Sequence, residues 1–175
     1  MGVSLYDLSV GSYLQTLRAV QGFLQRGLDH CRDNNIDPQE IVGTRLCGDM
    51  LPFAFQIVSV KHHSLGAIEG VKAGAFGPPK NGLPETYADL QALVASAIEG
   101  LEALKREDVD ALADKDVTFA IGDFKLPFTG ANFIMSFSLP NFYFHAATAY
   151  DILRHKGVPL GKRDFMGAMR MKAAA

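Results

Sequence analysis

A chain of 175 residues, 48% of them hydrophobic, with a formal charge of -2 and a pI near 6.2, is long enough for one domain with a substantial core. It carries no basic stripe, so nucleic acid and anionic membrane are excluded as expected partners. Two cysteines, Cys31 and Cys47, in no CxxC spacing likewise exclude a zinc ribbon and a disulfide framework.

The start of the chain lacks a charged segment followed by an apolar one, so a single cytoplasmic domain over residues 1–175 is expected. From Ser4 to about Asn34, Leu5, Leu8, Tyr13, Leu17, Val20, Leu24 and Leu28 recur at helical spacing and predict a first long helix. The NNIDP stretch stops it, and Asp37 before Pro38 opens a new helical region. After a pause at Gly43 or Gly48, a second long helix is expected from Asp49 to about Val71. In it Asp49, Phe53, Gln56, Val60, His63 and Ala67 share one stripe, at about 100° per residue. Pro52 either opens this helix or kinks it.

The segment AGAFGPPKNGLP, residues 73–84, is a loop by composition, read as a linker or a lid. A third helix is expected from about Glu85 to Lys105, followed by one more turn over Val109–Ala113. The pattern VTFAIGDFKLPF, Val117–Phe128, alternates, turns at Gly122 and Asp123, and alternates again, which predicts a β-hairpin. Thr129 caps a fourth long helix that Gly157 and Pro159 end, with Pro140 bending it midway. Its apolar run from Phe133 to Tyr150 carries Ser136, Ser138, Asn141, His145 and Thr148, a composition for burial in protein and not in lipid. The closing MKAAA reads as a frayed end. The expected fold class is all-α, a four-helix bundle with a small β-hairpin before the last long helix.

If the four long helices run up, down, up and down, the second and fourth share a direction and meet diagonally across the core. His145 then matches the depth of Gln56, and Asn141 lies toward Asp49. The fourth helix is expected to turn Ile134, Ser138, Asn141, His145, Thr148, Ala149 and Ile152 inward, bordered by aromatic residues, around a small pocket. Three readings stand side by side. Asp49, Gln56, Asn141 and His145 form a closed hydrogen-bond network that sets helix register, or they line a small-molecule site. In the third, His145 and Asp49 hold a divalent transition metal, with Gln56, Asn141 or His63 completing the set. His62 and His63 are adjacent on a helix, point to different sides, and are not read as a pair. Neither GxSxG nor a glycine-rich phosphate loop is present, which disfavours nucleophilic catalysis and nucleotide binding.

Three blocks, YDLSVGSYLQTLRAV, RLCGDMLPFAFQ and LPNFYFHAATAYDILRHKGVPLGKRDFMG, resemble the DUF 1993 family over almost the whole chain. That family is grouped with the DinB-like and YfiT-like four-helix bundles, so the resemblance implies an up-down-down-up arrangement and a homodimer. Relatives in the superfamily include metal-dependent enzymes acting on low-molecular-weight thiols. Their metal is held by one histidine of the second helix and two of an HxxxH motif on the fourth. Against that pattern His145 stands at the second histidine of HxxxH, Asn141 replaces the first, and the second helix offers Asp49 and Gln56, with His63 further along. The functional expectation is a small-molecule or metal site around His145, related to thiol transfer. Its rival is a non-catalytic oligomeric bundle in which the same residues are structural.

Overall fold

The first predicted helix is interrupted at Ser9. In the computed structural model, which describes residues 2–80 and 82–172, α1 (Leu5–Leu8) and α2 (Val10–Asp33) meet there. The Ser9 hydroxyl, fully buried, donates to the Leu5 carbonyl one turn back, a bond that competes with the helix ladder and bends it. α2 stops at Asn34, and Asn35 takes a left-handed φ of 55°. Asp37 then accepts from the Gln39 N–H to start the short α3 (Gln39–Val42).

Residues 43–52 are turn and extended chain, so the second long helix begins at Phe53 behind Pro52 and not at Asp49. It too is cut by a buried serine. α4 (Phe53–His62) and α5 (Leu65–Ala73) join at Ser64, whose hydroxyl donates to Val60. After β1 (Ala75–Phe76) and a proline-rich loop, α6 (Tyr87–Glu102) is capped by Thr86, which accepts from the Asp89 N–H. α7 (Arg106–Asp110) supplies the extra turn. The hairpin forms as β2 (Asp116–Ile121) and β3 (Phe124–Thr129), with Gly122 at φ 56° in the turn. β1 adds to it in parallel, Ala75 opposite Thr118 and Phe76 opposite Phe119. Of the described residues 61% are helical, so the fold is mostly α as expected, but the hairpin is part of a three-stranded sheet.

The last long helix has three parts: α8 (Gly130–Phe133), a π-helical stretch (Ile134–Ser138) and α9 (Leu139–His155). In the π stretch the Leu139 N–H donates to Ile134, five residues back. Pro140, in the first turn of α9, has no N–H to give. One extra residue in a turn rotates everything after it by about 100°. Past Pro140 the buried residues are Phe142, Ala146, Thr148, Ala149, Ile152 and Leu153, so Thr148, Ala149 and Ile152 lie inward as expected and Phe142, Ala146 and Leu153 join them. Asn141 and His145, expected inward, are carried to the half-buried edge of this face. Beyond Gly157, at φ 88°, α10 (Lys162–Met166) folds back on α2 through Arg26 and Asp164 and through Gln15 and the Met166 carbonyl.

Cross-contacts give the directions. Tyr87 donates to the Leu24 carbonyl and Arg18 pairs with Glu102, so α2 and α6 are antiparallel. Tyr13 meets Phe142 and Phe23 meets Tyr150, so α2 and α9 are parallel. Gln56 meets His145 and His63 meets Ser138, so α4 and α9 are antiparallel neighbours. The expected diagonal, parallel relation of the second and fourth helices is thereby corrected. Its physical cause is residues 74–86, which return the chain to the end where α4 began, so that Phe53 stacks on Tyr87. Among the described residues, no helix is long and apolar enough to cross a membrane. The alanines 173–175 of the expected frayed end lie outside the described residues.

Gly130 joins β3 to α8 in a space with no room for a side chain. A Cβ there would lie 2.1 Å from the Leu112 carbonyl oxygen and 2.8 Å from Val71 Cγ1. Gly130→Ala is expected to cost about 2–3 kcal/mol, read as a lower urea midpoint at unchanged slope. An unchanged midpoint would show that sheet and helix part there without penalty.

Candidate functional site

The seam between α4 and α9 brings Gln56 to His145. Gln56 is 2% exposed, and its two amide atoms are both engaged: Nε2 donates to the Leu51 carbonyl at 2.9 Å, and Oε1 lies 2.8 Å from His145 Nδ1. The Leu51 carbonyl can only accept, so it fixes which end of the amide faces the histidine. Oε1 in turn can only accept, so His145 Nδ1 carries the proton and Nε2 is a bare lone pair in the neutral ring. Burial, with a smaller contribution from the neighbouring His62, holds the His145 pKa down to about 4. The imidazole is thus neutral near pH 7. Nε2 has no partner among the described residues, yet it is not a buried orphan, a condition met there only by His63 Nδ1. It is therefore not fully enclosed, on a half-buried residue.

Aromatic rings frame this imidazole. Phe55 and Phe144 meet it edge-on, at centroid distances of 5.8 and 5.2 Å. His63 stacks on it at 5.8 Å with the planes 13° apart, and Phe137 lies behind His63. Burial, then the positive charge that His62 or His145 would carry, lowers the His63 pKa to about 3. His62 turns the other way, stacking on Phe76 at 4.4 Å and bonding through Nε2 to the Gly77 carbonyl at 2.7 Å.

Of the four residues expected at the site, the structure joins two. Asp49 is exposed in a turn before α4 and makes no hydrogen bond or ion pair among the described residues. Asn141 spends its amide on its own helix, donating to the Phe137 carbonyl at 2.7 Å, beside the π stretch. His63, offered by the sequence only as one of three residues that might complete a metal set, is instead the ring stacked on His145.

The metal that the fold family implies does not fit these residues. No three His, Cys, Asp or Glu among those described are grouped to hold an ion. The rings of His63 and His145 lie face to face and do not converge on a common point. Cys31 is buried, Cys47 is exposed, and neither bonds to the histidines. What the arrangement can do is present one oriented, neutral acceptor, His145 Nε2, on an aromatic surface.

Comparison with known proteins extends this description. The family described as a domain of unknown function, DUF1993, matches residues 5–166. Among solved structures, a DinB family member protein from Shewanella denitrificans is similar at a TM-score of 0.81 and 28% sequence identity, covering 97% of this chain and 96% of that one. No curated protein matches.

The histidine stack has a consequence for stability. Both folded pKa values lie below the ordinary 6.5, so between there and about pH 3 to 4 the unfolded chain binds protons that the folded one refuses. Stability is therefore full above about pH 6.5 and lost as pH falls through the folded values. Urea unfolding is expected to show a loss on the order of a few kcal/mol between about pH 7 and pH 4, and His63→Leu should flatten that dependence. The same slope in both proteins would exclude His63 as its source.

Proposed function

The chain belongs to the DUF1993 family, and from that premise we propose that it is a small-molecule-binding protein built as a DinB-like four-helix bundle. α2, α4 with α5, α6 and α9 are its four members, in the up-down-down-up order that their cross-contacts support. The binding centre is His145. One observation carries this reading: the chain from the Leu51 carbonyl through Gln56 to His145 Nδ1 leaves Nε2 as a fixed acceptor reachable from solvent. A buried glutamine held by a backbone carbonyl at one end and facing a histidine at the other is the kind of support that functional imidazoles receive.

The ligand class follows from the acceptor. A neutral imidazole nitrogen takes a hydrogen bond from a hydroxyl or a thiol, and the edges of Phe55 and Phe144 favour an apolar body attached to it. An imidazole that protonates only near pH 4 is a weak base at neutral pH, where effective general bases have pKa values near 7. Binding of the donor is therefore better supported than abstraction of its proton. The thiol-transfer chemistry of DinB-like relatives would need a stronger base or a metal, and the donor set here suits neither.

A second reading has its own observation. His145 is clasped by His63 and Gln56, and a cleft of about 830 Å³ nearby is lined by other residues, which favours a structural network.

Imidazole nitrogen NMR separates the two. The ligand reading expects His145 as the Nδ1–H tautomer at neutral pH, titrating near pH 4. Its Nε2 resonance should shift saturably with small aryl alcohols or thiols, and Gln56→Leu, which frees the tautomer, should weaken that binding about five-fold. An Nε2 resonance indifferent to the whole panel, with Gln56→Leu costing about 1–3 kcal/mol of stability alone, would leave the structural reading.

A further inference from the structure

A cleft of about 830 Å³ opens between α4, α5, the loop after β1 and strand β2, within the size range of small-molecule sites. His62 lines it and His145 does not, so it is separate from the centre described above. Val58, Phe76, Pro79 and Leu93 give it apolar walls. Its charged residues, Lys61, Glu69 and Lys80, are of mixed sign and half-buried or exposed, so the wall makes no strong demand for an ionic ligand.

One polar atom in this wall is aimed. His62 Nε2 lies 2.7 Å from the Gly77 carbonyl oxygen, which can only accept. Nε2 therefore carries the ring proton, and Nδ1 of the neutral ring is a lone pair. Stacking on Phe76, at 4.4 Å and 25°, stops the ring from turning. Burial lowers the pKa of His62, which keeps the ring neutral near pH 7. Nδ1 has no partner among the described residues and is not a buried orphan. Gly66, another lining residue, lies beside it, where a Cβ would stand 3.5 Å from Nδ1 in ordinary contact and a longer side chain would reach over it.

We propose that this cleft binds a neutral, ring-sized apolar molecule bearing a hydroxyl, a phenol in chemical class, whose hydroxyl donates to His62 Nδ1. The apolar walls hold the ring, the mixed charges favour no ion, and the locked acceptor selects a donor over an ether or a ketone of the same shape. Gly66 keeps the acceptor accessible, and the hydrogen bond to Gly77 also ties the loop after β1 to the wall.

Fluorescence titration of the intact chain with 2-naphthol and with 2-methoxynaphthalene at neutral pH tests this. Saturable binding is expected for both, with the hydroxyl compound about five-fold tighter. That preference should vanish in His62→Phe, or in His62→Leu should the first not fold as judged by circular dichroism. Gly66→Leu should weaken both probes roughly ten-fold by filling the site. The proposal is overturned by absence of saturable 2-naphthol binding, by equal affinities in the unaltered chain, or by a preference that survives loss of His62. It is also overturned if His145→Ala abolishes binding that Gly66→Leu spares, which would place the probe at the other centre.

Discussion

Ser138 sets its hydroxyl where α2, the end of α4 and the last long helix meet. It donates to the His63 carbonyl at 2.6 Å, and with its only proton spent it accepts from the Tyr13 hydroxyl at 2.7 Å. All three participants are buried, so each hydrogen bond satisfies a group that would otherwise be desolvated at a cost of about 1–3 kcal/mol. Burial also keeps the Tyr13 hydroxyl protonated and able to donate. The register of α9 against α4 follows from this junction. Seven residues along each helix, in opposite senses, Gln56 and His145 come opposite one another. The oriented imidazole is thus a consequence of how three helices are tied at a point two turns away.

The same junction ends the π stretch, and the two features belong together. Pro140 cannot donate to the carbonyl four residues behind it, and a wider turn just before it absorbs the mismatch. Its effect shows in the first turns of α9, while Thr148, Ala149 and Ile152 further on are buried as their spacing implied. A straight helix would turn Asn141 and His145 inward and leave Phe142 on a flank. In the structure Phe142 is fully buried against Tyr13, and His145 reaches solvent on one edge while Gln56 holds the other.

Much of this was legible in the residues and some was not, for identifiable reasons. The stripe Phe53, Gln56, Val60, His63 and Ala67 is buried as its spacing implied, even across the Ser64 break, because α4 packs on α9 and α5 goes on packing against the π-helical stretch, α6 and the sheet. The Gly122–Asp123 turn and both hairpin strands carry their own local signals and formed where those lay. Asp49 was misplaced because periodicity alone cannot show where a helix starts, and Pro52 marked the true boundary. The π turn has no sequence signature beyond the proline, and β1 is two residues whose strand character comes wholly from pairing with β2. The stacking of His63 on His145 was not legible because it depends on helix direction, a property of the long connection and not of either helix.

The parallel rungs between Ala75 and Thr118 and between Phe76 and Phe119 bear on the order in which the chain assembles. They enclose α6 and α7 within one long loop, and such a contact gains nothing until the entropy of closing that loop has been met. Docking α6 on α2 first shortens the effective gap, so these rungs close late on the way in. By microscopic reversibility they also detach early on the way out. The two β1 rungs are therefore the part of the sheet expected to open first, whereas the β2–β3 hairpin closes only its own short turn and carries no such delay.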